Sequence, residues 1–460
     1  GPDALTLENG AFATVTYTVT GPGDGTVDLD GDLIAFENLE PVVDTTTATN
    51  RVFTDATGLG QTIEVQNAGG GLTRIDDGGT NAFESITFAP PTGSLTINAG
   101  DGNDAVFVDF ASGTDTVNVN GGPETDSLQV NGTAAADSIT VTSTQVTRGP
   151  ETVGYQQIED LAVAGGGGED DLVVLSTSTA GARLDAEEDS DEYTVNFGSL
   201  AGAVAVDDSG AGADFDTLLV NGTVGDDELV LGASSITRGA ETVTYFGIEE
   251  LTLDAGAGND TITVNGTGTT TTILGGDGDD HFIVNANGAF TLTLDGEEGS
   301  DLYEINIGAL TGPVVIDDTG TMGTDTLLVN GTDFDDVIIL TDDSITGLGD
   351  GSPFDLTFSG IEVLAVDAKA GDDIVDGSAL TISVTIYGGD GDDLLIGGSN
   401  DDQIFGQGDD DDIVGNLGSD LLDGGEGSDG ILGDMGTIVR ELVAGGMATL
   451  LTTQNGKLEA

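Results

Sequence analysis

From Asn103 onward the chain is written in short runs in which apolar and polar residues alternate, each run led by an aspartate. Asp104 leads Val106 and Val108, Asp115 leads Val117 and Val119, Asp126 leads Leu128 and Val130, and Asp137 leads Ile139 and Val141. A period of two is that of a β-strand with one buried face. These four runs are evenly spaced, and the same phrase returns at Asp170, Asp191, Asp216, Asp227, Asp260, Asp280, Asp301, Asp325 and Asp336, with a shortened version at Asp373. The intervals are 11, or 20 to 25, or 33 to 37, most of them near multiples of one half-turn of a coil. That periodicity predicts a solenoid rather than a string of globular domains.

A longer repeat lies above the short one. The phrase Leu-x-Val-Asn-Gly-Thr ends at Thr133, Thr223 and Thr332, and the second spacing is longer than the first. The excess is close to one coil, so the third unit reads as having gained a rung at Gly275–Asp280. The same arithmetic predicts roughly 18–22 residues per rung. Each long unit carries Ile-Glu-x-Leu, at Ile158-Glu159, Ile248-Glu249 and Ile361-Glu362, with looser versions at Phe36-Glu37 and Phe83-Glu84. Arg148 and Arg238 stand at one fixed separation before Glu159 and Glu249, which predicts a repeated structural ion pair or an edge charge. Asn131, Asn221, Asn265 and Asn330 each open an Asn-Gly-Thr triplet. These are formal glycosylation acceptors, but Asn-Gly favours tight turns and stacked asparagines can ladder between rungs.

Residues 1–95 are rich in Thr and Val with sparse turn motifs, and the alternation from Phe12 to Val19 predicts a strand with one wetter face. Gly21-Pro22-Gly23-Asp24-Gly25 predicts a loop, and the segment as a whole irregular β rungs or a cap. Residues 96–387 form the repeat region, 388–436 a distinct glycine-rich block, and 437–460 a cap or tail in which Ile438, Val439, Leu442 and Val443 have helix-like spacing.

The block from Gly388 to Leu432 divides into five consecutive nine-residue units, G-G-x-G-x-D-x-U-x. The sixth place is Asp393, Asp402, Asp411, Asp420 and Asp429, and the eighth is Leu395, Ile404, Ile413, Leu422 and Ile431. Glycine in the first half permits a turn closed to other residues, and the apolar eighth residue points inward from a short strand. Such a turn gathers carbonyl and carboxylate oxygens, a donor set for calcium, which accepts six to eight oxygens. Zinc is disfavoured by zero Cys and a single His.

The nonapeptide resembles the calcium-binding repeat of the repeats-in-toxin (RTX) family. The match is tight over 388–432 and looser but periodic over about 100–380. Gly275–Asp280 fits in full; the turns before Asp104 and Asp260 fit with Ala in first place, and Gly165–Asp170 carries Glu169. Glu124 before Asp126 and Asp189 before Asp191 depart from it and put calcium there in doubt. The candidate calcium ligands are thus Asp104, Asp170, Asp260, Asp277, Asp280, Asp301, Asp373 and Asp390, together with Asp393, Asp402, Asp411, Asp420 and Asp429. The expected fold is all-β, a right-handed parallel β-helix or β-roll. At about 4.8 Å per rung, some twenty rungs would give a rod on the order of 100 Å. The resemblance implies an extracellular bacterial protein, exported unfolded by type I secretion and folded outside on binding several calcium ions.

Charge sharpens this picture. The 460 residues hold 84 acidic and 8 basic side chains, a formal net charge of −76, yet 37% are hydrophobic. A compact fold with that imbalance repels itself, and bound divalent cations would relieve it. Nucleic acid and anionic membranes carry the same sign of charge and are disfavoured as partners. No apolar run is long enough to cross a bilayer.

His281 is the sole histidine, expected solvated on a strand, and no G-x-S-x-G elbow occurs, so the usual hydrolase arrangements cannot be assembled. A β-helix cleaving acidic polysaccharide would need basic and aromatic residues; there are no Trp and six Tyr. The reading is therefore a non-enzymatic structural protein: a surface or matrix component, adhesin stalk or fibre subunit, able to add copies end to end through its strand edges. The alternatives are a carrier module of a larger secreted enzyme or toxin, and an acidic-polysaccharide lyase or hydrolase.

Overall fold

The computed structural model describes residues 4–39, 41–79, 82–210, 214–433, 440–443 and 447–450. They are all-β, with one short 3-10 turn at Ile307–Ala309. They fall into two units, residues 1–220 with 240–250, and residues 221–239 with 251–460.

In the N-terminal unit the chain alternates between two ladders. Thr62–Gly69, Ala105–Asp109, Ser127–Thr133, Asp160–Gly167 and Ala182–Glu188 stack in parallel in one. Thr47–Asp55, Ser94–Asn98, Thr116–Asn120 and Glu151–Gln156 stack in parallel in the other. Parallel neighbours require a crossover connection, and here each crossover contains a strand of the opposite ladder. This is why the strand phrase recurs at half the separation of stacked partners such as Asp104 and Asp126, which lie 22 apart. Alternate residues point inward, and the register keeps them in columns: Leu128 lies beside both Val106 and Leu161. All three are buried, as are Val117 and Val119 opposite.

The C-terminal unit repeats the plan. Thr261–Val264, His281–Val284, Leu302–Asn306, Thr326–Asn330 and Val363–Asp367 form one parallel ladder. Thr270–Asp277, Leu292–Glu298, Val314–Asp317 and Ser352–Ser359 form the other. The nonapeptide strands continue in the same parallel manner, Gln403–Gly408 on Leu421–Gly425 and Leu394–Ile396 on Asp412–Val414. At the position where a gained rung was expected, Thr270–Asp277 pairs in parallel with Leu292–Glu298.

Intervals of 33 to 37 have a different origin from the half-turn multiples expected. Ser138–Val141, Gln145–Arg148 and Glu151–Gln156 form an antiparallel meander whose outer strands pair in parallel with the ladder on either side. Val337–Leu340, Ser344–Gly349 and Ser352–Ser359 do the same. Asp137 and Asp170, 33 apart, are thus direct neighbours. Thr62–Gly69, Leu72–Asp76 and Ile86–Phe88 make an earlier meander, and Ala11–Gly21, Asp24–Leu29 and Asp32–Phe36 an antiparallel hairpin pair, so Pro22 and Gly23 form a tight turn. Each Ile-Glu pair, like Phe36-Glu37, falls at or just after the end of such a set, whereas Phe83-Glu84 precedes the last strand of its own.

Three further expectations change in detail. Arg440–Val443 pairs antiparallel with Met447–Leu450, so the helix-like spacing there belongs to a hairpin; Ile438 and Val439 lie outside the described residues. The Asn131 triplet sits at the end of a strand rather than in a tight turn. Asparagines do ladder: Asn285 donates to Asn265, Asn306 to Asn285 and Asn330 to Asn306, at 3.0–3.1 Å. His281 is one-third exposed, its Nε2 lying 3.3 Å from Glu304.

In the N-terminal unit Arg51 is fully buried. Its Nη1 meets Asp44 Oδ2 at 2.6 Å and the Tyr17 hydroxyl, its Nη2 donates to the Thr46 carbonyl at 2.7 Å, and its guanidinium packs over Phe88. Burial alone would raise the Asp44 pKa, but the bonds from Thr46 and Tyr17 and the charge of Arg51 hold it below the ordinary value. Removing one partner of a buried pair strands the other's charge, a loss of about 3–5 kcal/mol. Arg51→Met is expected to destabilise the unit by that order in chemical denaturation, and adding Asp44→Asn to recover part of the loss.

Candidate metal centre

The strand phrase places an aspartate ahead of each strand, and most of these are buried; Asp115 is exposed, and Asp420 and Asp429 are half-buried. The backbone and side chain of the stacked aspartates bond in one direction along the ladder. Asp137 N donates to Asp170 Oδ1, Asp170 N to Asp191 Oδ1 and Asp191 N to Asp216 Oδ1, at 2.7–2.9 Å. In the C-terminal unit the chain runs Asp227, Asp260, Asp280, Asp301, Asp325 with the same geometry, at 2.6–2.9 Å. A second runs Asp336, Asp373, Asp393, Asp411, Asp429 at 2.7–3.1 Å, and Asp402 with Asp420 begins another from Val384 N. Asp104 and Asp126 form a short one in the N-terminal unit. The residue before each aspartate reaches the other way: Asp392 N donates to Asp372 Oδ1 and Asp410 N to Asp392 Oδ1. Neighbouring circuits are thus clamped from both sides by a two-residue step.

The ends of the stacks explain the longer repeat. Glu159, Glu249 and Glu362 each accept the last unpaired amide, from Asp126, Asp216 and Asp325, all at 2.9 Å. The Ile-Glu pair therefore terminates a stack, in place of the expected pairing with arginine. Arg148 instead bonds Asp137 Oδ1 at 2.6 Å and Glu151, and Arg238 bonds Asp227 Oδ1. They occupy the first carboxylate of a stack, which has no earlier aspartate amide to accept; at Asp336 the amide of Asp350 does this, at 2.9 Å. The threonine of Asn-Gly-Thr closes the same end, its amide donating to Oδ2 of Asp137, Asp227 or Asp336 at 2.6–2.7 Å.

Inside the stacks the second carboxylate oxygen is not provided for. Oδ2 of Asp104, Asp126, Asp170, Asp191, Asp260, Asp280, Asp301, Asp373 and Asp393 is buried with no hydrogen-bond partner among the described residues. At Asp126, Asp170, Asp280, Asp301 and Asp393 the residue five positions earlier is a glycine whose Cβ would collide with this oxygen; before Asp104, Asp191, Asp260 and Asp373 that place is held by Ala99, Ala186, Ala255 and Ala368. Gly276, with φ +108°, serves the separate need for a left-handed backbone.

Burial dominates the ionisation of these groups. It pushes Asp104, Asp170, Asp216, Asp260, Asp301 and Asp373 up to about 6, and Asp191, Asp280 and Asp393 up to about 7. The amide of the neighbouring circuit pulls each back, and the stacked carboxylates add to the rise. A row of anions held out of water, each with a free oxygen, is a chemistry that a hard cation satisfies.

Of the candidate ligands, Asp104, Asp170, Asp260, Asp280, Asp301, Asp373, Asp393, Asp402, Asp411, Asp420 and Asp429 all stand in these stacks. Asp277 and Asp390 do not: their side chains are exposed. Asp277 lines an open groove of about 430 Å3 with Asp254, Glu297 and Glu298. Asp126 and Asp191, doubted for their unusual turns, have the same buried geometry as the rest, because Glu124 and Asp189 adopt the positive φ (78° and 84°) that glycine would supply. Sequence reasoning missed two residues altogether. Asp208 joins Asp191 and Asp216, and Asp318 joins Asp301 and Asp325, with one carboxylate oxygen from each within 4.8 Å of the others. The signal was available as a repeated phrase, Val206-Asp207-Asp208 and Ile316-Asp317-Asp318, which follows no glycine-rich turn.

These clusters of buried carboxylates could hold a metal ion. No protein-family model and no curated protein matches the chain. The resemblance to RTX repeats therefore rests on the residues themselves.

Two outcomes follow. A carboxyl with a raised folded-state pKa contributes its full stability below the unfolded value, 3.8, and loses it as pH rises through the folded one. The metal-free chain is expected to melt at progressively lower temperature from about pH 4 to pH 7, a trend that scanning calorimetry of metal-stripped protein would read. Asp280→Asn keeps an acceptor for the Asp260 amide and removes the charge. It is expected to stabilise the metal-free chain at neutral pH by about 1–3 kcal/mol and to reduce the stabilisation gained from added calcium.

Proposed function

We propose that this chain is an extracellular, calcium-stabilised structural protein: a right-handed parallel β-solenoid of about 18–22 residues per rung, serving at a cell surface or in a matrix. The observation that carries the reading is the row of buried Oδ2 atoms without partners, in a chain with 84 acidic and 8 basic residues. The donor set is all oxygen and anionic, which fits calcium better than magnesium, whose stricter octahedron retains water. Asp170, Asp260, Asp280, Asp301 and Asp373 would hold the ions in the turns, with Asp393, Asp402, Asp411, Asp420 and Asp429 in the nonapeptide block. Bound calcium would supply positive charge between carboxylates that otherwise repel.

The chain's own residues do the rest. Backbone amides of one circuit donate to Oδ1 of the next, which orients each carboxylate as the circuits stack. The apolar columns supply the non-electrostatic part of the stability. Coupled binding and folding follows: with calcium scarce, repulsion opposes stacking, and with calcium abundant the circuits close. Exposed strand edges at the end of a stack would let copies add end to end, giving filaments.

Circular dichroism during calcium titration of metal-stripped protein in low salt tests this. The β-sheet signal and melting temperature are expected to rise with calcium and far less with magnesium. An unchanged spectrum and melting point across the titration would remove the basis of the proposal.

A further inference from the structure

The N-terminal unit shows how this protein neutralises a buried tyrosine–aspartate pair. Tyr17 donates to Asp44 Oδ2 at 2.6 Å, and the Arg51 guanidinium sits against both. The same pair occurs twice more. Tyr193 donates to Asp208 Oδ2 at 2.6 Å and accepts the Ala186 amide at 2.7 Å. Tyr303 donates to Asp318 Oδ2 at 2.7 Å and accepts the Gly296 amide at 2.6 Å.

At these two places further acid stands where Arg51 supplies a cation. Asp191 and Asp216 crowd Asp208, and Asp301 and Asp325 crowd Asp318. Every one of the six carboxylates is buried, none more than 8% exposed. Their Oδ1 atoms are already used: Asp208 accepts from Gly210 and Asp318 from Gly320, at 2.8 and 2.9 Å, while the other four accept amides of the stack. Oδ2 of Asp191 and of Asp301 has no hydrogen-bond partner among the described residues, and both residues are 1% exposed. Asp301 Oδ2 and the Tyr303 hydroxyl face the same point, since a Cβ on Gly296 would run into both. The charged neighbours that oppose ionisation of Asp191 and Asp301 are all carboxylates.

We propose that Asp191, Asp208 and Asp216 with Tyr193, and Asp301, Asp318 and Asp325 with Tyr303, form two equivalent interior sites for a hard divalent cation of the calcium class. The ion takes the place that a guanidinium holds beside Tyr17 and Asp44. These sites differ from the glycine-rich turns because one carboxylate and the positioning hydroxyl come from outside the motif. They also fix the ion between a ladder strand and the connection that follows it, so that loading joins Asp208 or Asp318 to the aspartate stack. The choice of calcium over other hard cations rests on the functional reading above; the existence of the sites does not.

The chain has six Tyr and no Trp, so terbium bound near a tyrosine hydroxyl can be excited through tyrosine alone. Metal-stripped full-length protein is titrated with terbium for emission and dialysed against calcium for stoichiometry. Asp208→Asn with Asp318→Asn keeps the acceptors for Gly210 and Gly320 and removes one charge from each cluster. The expected result is loss of two bound ions per chain and of most tyrosine-sensitised emission, while the turn sites still drive the calcium-dependent dichroism change. Tyr193→Phe with Tyr303→Phe probes the same places without altering a carboxylate and is expected to abolish their emission, leaving that of Tyr387 beside the nonapeptide turns. Unchanged ion number in the double Asn variant, or unchanged emission in the double Phe variant, overturns the proposal. So does proton uptake by the wild-type clusters at neutral pH with calcium present, because protons would then be neutralising them. If dichroism itself does not respond to calcium, the functional reading fails instead, and the terbium arms still judge the sites.

Discussion

One hydrogen bond, repeated, organises this molecule: a backbone amide at a turn donating to the aspartate carboxylate of the neighbouring circuit. It satisfies a buried amide that no strand partner reaches, and it holds the carboxylate in one orientation. It also takes an anion out of water. Apolar columns can bring circuits together, but each added circuit brings another buried carboxyl whose charge the protein does not match. The structure is therefore stacked by bonds that create an electrostatic cost in the same step, and burial raises the carboxyl pKa values accordingly.

The protein deals with the problem differently at the ends and in the middle. At the first carboxylate of a stack Arg148, Arg238 or the amide of Asp350 takes up Oδ1. At the last amide a glutamate, longer by one methylene, reaches back from a chain that has just completed a meander. The middle has neither device, and most of the partnerless oxygens collect there. Arg51 shows that a built-in cation can be accommodated in this fold, at full burial and with its donors satisfied. That so few basic residues occur elsewhere makes exchangeable charge the natural complement of the remaining carboxylates.

Length follows from the same constraint. A circuit can be inserted wherever its aspartate continues the stack, as Asp280 does between Asp260 and Asp301. A meander can be inserted wherever its outer strands match the ladder on either side, as the one at 138–156 does. Neither insertion disturbs the inward columns, so the spacing changes along the chain while the aspartate and the alternating apolar residues recur.

Residue order alone determined the β-strands, their inward faces and the aspartates of the turns, because each is a local rule. Val106 and Val108 alternate with polar residues whatever lies beside them, and Asp393 ends its turn by virtue of the glycines before it. Contacts made between distant circuits were not legible in this way. An interval of 33, such as that from Asp137 to Asp170, is equally compatible with one and a half turns and with a circuit carrying a meander, and only strand pairing distinguishes them. Glu159 closing on Asp126, Glu124 standing in for a turn glycine, and Asp208 meeting Asp191 and Asp216 all depend on which segments the fold makes neighbours. The tertiary structure decided these because electrostatic and hydrogen-bond partners are set by distance in space, and parallel stacking of strands brings together residues whose separation along the chain changes with every insertion.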